Sequence, residues 1–192
     1  MPAPGADARA HSDRLLALVK DQVAAAGGAI PFSRYMELAL YAPGLGYYSA
    51  GARKFGAAGD FVTSPELGPT FAECVAACAA DVFSQLGGRA EFLELGGGSG
   101  AFAEAALRRL DELAAVPARY LILEPSADLR ERQLERLRDA LPARLFDRVH
   151  WLDGPLEKTW RGFLFANEVI DALPTPRFAI REGEVFEEYV AL

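Results

Sequence analysis

Cysteine and histidine each occur only twice among the 192 residues, and that scarcity removes several chemistries at once. The two cysteines, Cys74 and Cys78, lie one helical turn apart with no histidine near them, so the sequence predicts no metal site and no disulfide. They fall on the apolar stripe Phe71, Val75, Cys78, Val82, Leu86, which predicts core packing in a reducing cytoplasm. Neither His11 nor His150 has a partner at catalytic spacing, and His11 is read as part of a disordered tail. Long apolar runs are lacking too; none approaches the roughly 18 residues of a membrane span. Positive charge is in deficit, with 20 basic against 27 acidic residues and a net charge of −7. That balance argues against a nucleic-acid partner and mildly favours cationic ones. Met1 to Ala10 has neither a hydrophobic stretch nor an arginine-rich amphipathic pattern, so no targeting signal is expected and a cytoplasmic location is.

What remains is the composition of soluble α/β material, 51% hydrophobic and 24% charged. An amphipathic helix is expected over 12–26, with Leu15, Leu16, Val19 and Val23 on one face and Gly27-Gly28 as its stop. A second is expected over 30–41, capped by Ser33 and ended by Pro43-Gly44. A glycine-rich loop carrying Arg53 and Lys54 follows, closed by residues 60–66, where Ser64 caps a helix running to Leu86 and Pro65 takes its first position. From Glu91 onward strands at 91–95, 119–124, 148–152 and 162–166 alternate with helices at 101–113 and 127–140. That order predicts a parallel, Rossmann-like sheet with right-handed crossovers and a ligand at the carboxyl ends of its strands. The expected division is an N-terminal helical region with a cofactor-covering loop over 1–88 and a partial Rossmann-like domain over 89–192.

The run Glu94-Leu95-Gly96-Gly97-Gly98-Ser99-Gly100 joins the first of these strands to a helix. Glycines at 96, 98 and 100 let the backbone take positive φ and lie against a ligand, toward which the next helix points its free N–H groups. A carboxylate at Glu94 would repel a pyrophosphate and attract a cationic amino acid. It therefore suits S-adenosylmethionine, whose methionine end carries an ammonium and a sulfonium. Gly96-x-Gly98-x-x-Ala101 also satisfies the looser dinucleotide fingerprint, which leaves a Rossmann oxidoreductase as an alternative.

The other strand tips are acidic as well. Glu124 ends the second strand and can accept from ribose hydroxyls; the competing reading is an acid favoured by a helix N-terminus. Asp153 ends the third and either accepts from an adenine amino group or simply makes a turn. The fourth delivers Asn167, Glu168 and then Asp171, where the reactive methyl should lie. Carboxylates there can orient a guanidinium by bidentate hydrogen bonds, against the plainer reading of a solvated helical turn.

Four blocks occur in order: Pro43-Gly44-x-Gly46-Tyr47-Tyr48, Gly59-Asp60-Phe61-x-Thr63-Ser64-Pro65-Glu66, Glu94-x-Gly96-x-Gly98-x-Gly100 and Asn167-Glu168-x-x-Asp171-Ala172-Leu173-Pro174. Together they resemble the MidA-like family of S-adenosylmethionine-dependent methyltransferases, whose mitochondrial members dimethylate an arginine on a respiratory complex I subunit during assembly. The resemblance covers about residues 30–178. It implies a segment from Gly59 through Asp60, Thr63, Ser64 and Glu66 that folds over the cofactor, and an acceptor border at 167–174. Members of the family run to about twice this length, so a truncated sheet with an exposed edge is expected, after a hairpin around Glu182-Gly183, and with it pairing to a second copy or to further polypeptide. A protein arginine is the implied acceptor. A small-molecule amine or a non-catalytic assembly role are the alternatives.

Overall fold

The computed structural model describes residues 5–49, 67–87, 89–156 and 159–192. Gly59, Asp60, Thr63, Ser64 and Glu66, with the loop and helix cap expected around them, lie outside the described residues. The chain divides into two compact units, Met1–Ala52 with Ile170–Leu192, and Arg53–Val169.

The second unit is built on a parallel sheet. Its strands are β2 (Glu91–Leu95), β3 (Tyr120–Leu123), β4 (Val149–Leu152) and β5 (Gly162–Ala166), in the spatial order β4-β3-β2-β5. The register pairs Phe92 with Tyr120 and Phe163, and Glu94 with Ile122 and Phe165, so those side chains share one face. That face is covered by α3 (Thr70–Leu86), α4 (Ala101–Glu112) and α5 (Ala127–Ala140), followed by the short α6 (Ala143–Phe146). Aromatic rings fill the space between. Phe92 stacks on Tyr120 with centroids 4.7 Å apart, and Phe102 stacks on Phe165 at 4.0 Å, pairs that add about 0.5–1.5 kcal/mol each beyond the area they bury.

Helix α3 buries Ala72, Ala76 and Ala79 rather than the larger residues of its expected stripe, and Cys74 and Cys78 are exposed. The expectation of core cysteines is therefore corrected. Small side chains let α3 approach Ala103, Ala106 and Leu107 of α4 closely, and that choice rotates the thiols away from the core.

The first unit contains α1 (Ala6–Ala25), β1 (Ala29–Pro31), α2 (Phe32–Tyr41), a 3-10 turn (Ile170–Ala172), the hairpin β6 (Phe178–Arg181) and β7 (Glu184–Glu187), and β8 (Tyr189–Ala191). The hairpin turns through Glu182 and Gly183, both at positive φ, as a two-residue turn of matching twist requires. Two expectations fail here. Residues 29–31 form a strand paired antiparallel with β8, so α2 starts at Phe32, and Ser33 lies inside it rather than capping it. Helix α1 begins at Ala6, and His11 is held by a 2.8 Å hydrogen bond to the Leu45 carbonyl rather than lying in a disordered tail. Val19, Val23, Ile30 and Leu38 make this unit's small core, while Leu16 stays exposed. Among the described residues no helix is long and apolar enough to cross a membrane.

Candidate functional site

The strand order reverses direction beside β2: the chain leaves β2 for β3 and β4, then returns to β5 on the other side. Such a switch point opens a crevice at the carboxyl ends of the central strands. Residues following β2 and β5 border it directly, flanked by the tips of β3 and β4.

The glycine loop divides its labour residue by residue. Gly96, Gly98 and Gly100 all take positive φ, at 69°, 52° and 81°. A Cβ at Gly96 would lie 2.8 Å from Val169 Cγ2, and one at Gly97 would lie 2.9 Å from Gln133 Nε2 and 3.0 Å from Ile122 Cγ2. At Gly100 a Cβ would meet Gln133 Cα only at an ordinary contact distance of 3.4 Å, so its left-handed φ is the constraint there. Gly96 and Gly97 are small because the protein itself fills the space. Gly98 differs, since a Cβ there meets nothing within 4 Å among the described residues. Open space over a left-handed glycine at the switch point is the cradle that a ligand's methionine or ribose portion would fill. Gly98→Ala should therefore cost little stability, about 1–2 kcal/mol for a Cβ at this φ. Affinity for S-adenosylhomocysteine should fall at least about tenfold. A melting curve with a calorimetric titration reads both, and unchanged affinity would show that the ligand lies elsewhere.

Glu94 sits one residue before the strand end, only 2% exposed, on the helix-covered face. Tyr120 OH donates to its Oε2 at 2.8 Å. Burial pushes the carboxyl up to about 8, which the Tyr120 hydrogen bond opposes and the nearby Glu124 charge reinforces. Without a cation beside it the group holds its proton near neutrality; an ammonium would favour the ionised form. The residues present thus fit a positively charged ligand.

Glu124 follows β3 and is 5% exposed. Burial raises its pKa, opposed by hydrogen bonds from the Ser126 N–H, the Gln133 amide and the Gly98 N–H, and by the Arg130 charge. Ser126 caps α5, accepting from Leu129 N–H. Asp153, after β4, is 93% exposed and pairs with Arg130 at 3.0 Å. Asn167 is half-buried and Glu168 exposed beyond β5, and Glu168 holds a φ of 52° that its side chain disfavours. Asp171 lies on the 3-10 turn of the other unit, next to Ala172, whose carbonyl accepts from Tyr41 OH at 2.9 Å. The second unit thus brings Glu94, Gly96, Gly98, Gly100, Glu124, Asp153, Asn167 and Glu168 to the carboxyl ends of its four strands.

One residue escaped the sequence reading. Gln133, in the middle of α5, is fully buried beneath the loop, where its amide donates to the Gly98 carbonyl at 2.9 Å and to Glu124 Oε2 at 3.3 Å. An uncharged polar side chain on the Leu129–Leu137 face of a helix was the signal available.

Comparisons with known proteins agree with this geometry. A family model for S-adenosyl-L-methionine-dependent methyltransferases matches residues 74–192. The Drosophila melanogaster mitochondrial homolog of the protein arginine methyltransferase NDUFAF7 is 30% identical over 179 residues, covering 82% of this chain and 40% of its own length. The Danio rerio mitochondrial protein arginine methyltransferase NDUFAF7 is 31% identical over 181 residues, covering 82% and 42%. The chain thus spans about two fifths of the length of these curated relatives. A Burkholderia thailandensis protein crystallised with S-adenosyl-homocysteine superposes over the whole chain and 53% of its own, with a TM-score of 0.83 and 39% identity. The looser dinucleotide reading of the glycine spacing gives way to these matches, and the chain belongs to the MidA-like family of S-adenosylmethionine-dependent methyltransferases.

Proposed function

We propose that this chain carries the donor-binding part of a protein arginine N-methyltransferase. Glu94, Gly96, Gly98, Gly100, Glu124 and Asp153 would hold the cofactor, and Asn167 and Glu168 would meet the acceptor. The observation that carries the acceptor assignment is the strained backbone of Glu168. A non-glycine residue at positive φ on a strand tip costs about 1–3 kcal/mol, and such strain clusters at functional sites. Two relatives whose names specify protein arginine methylation, at 30% and 31% identity, support the same reading.

When bound, S-adenosylmethionine supplies an electrophilic methyl group on a sulfonium sulfur. This chain's contribution is positioning: in an in-line displacement, most of the acceleration comes from holding the nucleophile in line and dry. Glu168 would accept guanidinium N–H groups and offset the cation's charge, and Asn167 would fix the plane of the acceptor. The nitrogen that gains the methyl gives up a proton, which a carboxylate here can accept. The enzyme would act in the cytoplasm.

The test is incubation with methyl-labelled S-adenosylmethionine and an arginine-rich protein, followed by mass spectrometry for dimethylarginine. Glu168→Ala should lower turnover about 100-fold with donor affinity retained. Label appearing only on small amines, or full turnover by the variant, would overturn the arginine assignment.

A further inference from the structure

Three of the polar roles at this site converge on a residue that touches no open space. The Gln133 amide has two N–H groups and one carbonyl, and all are used. Nε2 donates to the Gly98 carbonyl at 2.9 Å and to Glu124 Oε2 at 3.3 Å, while Oε1 accepts from Trp151 Nε1 at 2.8 Å. The amide cannot be flipped, because an indole N–H only donates and a backbone carbonyl and a carboxylate only accept. Gly98 lies after β2, Glu124 after β3 and Trp151 within β4. One helix side chain thus ties three neighbouring strand ends together at the level where ligands bind in such sheets.

The glycine loop is shaped around the same side chain. A Cβ at Gly97 would collide with Gln133 Nε2 at 2.9 Å and crowd its Cδ at 3.1 Å, while Gly100 lies at ordinary contact distance from its Cα and Cγ. Gly97 is therefore small to admit Gln133, not a ligand. From these contacts we infer that Gln133 is a positioning residue of the cofactor site, clamping the left-handed Gly98 loop and the Glu124 carboxylate in the arrangement that receives the adenosyl portion of the donor. The inference rests on the cofactor placement proposed above.

The clamp acts on part of the ligand, which makes it separable from a general effect on folding. Glu124 is assigned to ribose, which adenosine possesses, whereas Glu94 is assigned to the amino-acid end, which adenosine lacks. Gln133→Met keeps the length and volume and removes all three hydrogen bonds. It should weaken adenosine and S-adenosylhomocysteine alike, at least tenfold each, at a temperature well below the melting transition. Glu94→Gln should weaken S-adenosylhomocysteine and leave adenosine within twofold.

A spectroscopic arm follows from the indole. Trp160 Nε1 is buried with no hydrogen-bond partner among the described residues, so Trp160→Phe discards an unmet donor and leaves Trp151 as the single indole emitter. In that background S-adenosylhomocysteine should shift Trp151 emission, and adding Gln133→Met should abolish the shift at saturating ligand. If Gln133→Met fails to fold, Trp151→Phe, which frees Oε1 alone, should still lower adenosine affinity severalfold. Wild-type affinity for both ligands in a folded Gln133→Met protein, or in Trp151→Phe, would overturn the clamp and leave the cofactor placement standing. A wild-type chain that binds neither ligand would overturn both.

Discussion

Glu94→Gln should stabilise the ligand-free protein above neutral pH while weakening its hold on S-adenosylmethionine. The folded state keeps the Glu94 proton up to about pH 8 because burial disfavours the charge, whereas an unfolded chain releases it in the ordinary carboxylate range near 4.5. Between those limits the native state binds more protons than the unfolded one, so stability falls as pH rises. At about 1.4 kcal/mol per unit, the loss across the window is on the order of 5 kcal/mol. Glutamine carries no charge to desolvate and can still accept from Tyr120 OH, so the variant's stability should be flat over the same window. Its donor affinity should fall about 10- to 100-fold, the worth of a charge-assisted hydrogen bond of about 1.5–3 kcal/mol. For the wild-type protein, affinity should climb between pH 6 and 8 as ionisation becomes easier; for the variant it should not. Denaturant titrations and calorimetry at several pH values read both halves. A variant that loses stability at pH 8 would show that Glu94 is already ionised and paired within the protein.

Gly162→Ala should unfold the second unit or nearly so. A Cβ on Gly162 would sit 1.8 Å from the Glu91 carbonyl oxygen and 2.7 Å from its carbon, both backbone atoms. Neither can swing aside as a side chain would. Relief requires β5 to leave its register with β2, where Glu91 pairs with Gly162 and Phe92 with Phe163. Phe163 and Phe165 would then withdraw from the ring cluster around Phe92 and Phe102. Overpacking ordinarily costs about 1–3 kcal/mol, occasionally more, and a backbone collision at this distance belongs at or above the top of that range. Gly154→Ala is the control, since a Cβ there meets nothing within 4 Å among the described residues. Thermal melts should show the first variant strongly destabilised and the second unchanged; equal melts would mean the strand ends can separate freely.

Both predictions depend on positions whose importance differs in kind from what the sequence displays. Periodicity was enough to place the four parallel strands within a residue of their ends, because alternation of apolar strand and amphipathic helix is a local property. Glu94, the glycine loop, Glu124, Asp153, Asn167 and Glu168 could be set at strand tips for the same reason. Residues 29–31 could not be recognised as a strand, since their partner, Tyr189–Ala191, lies more than 150 positions away and three residues carry no period. The exposure of Cys74 and Cys78 was equally illegible: either face of α3 has an apolar stripe, and only the neighbour decides which is buried.

By itself, then, the order of amino acids determined a parallel α/β sheet, the acid-and-glycine turn after its first strand, and the family to which the chain belongs. The sheet and the turn follow from short-range stereochemistry and side-chain charge, the family from its resemblance in four motif blocks. Which glycine stays open to a ligand, why Gly96 and Gly97 must be small, and how Gln133 comes to join Gly98, Glu124 and Trp151 were decided by tertiary structure alone. Those are questions of which atoms share a volume, and a linear pattern assigns no volume until distant segments have packed.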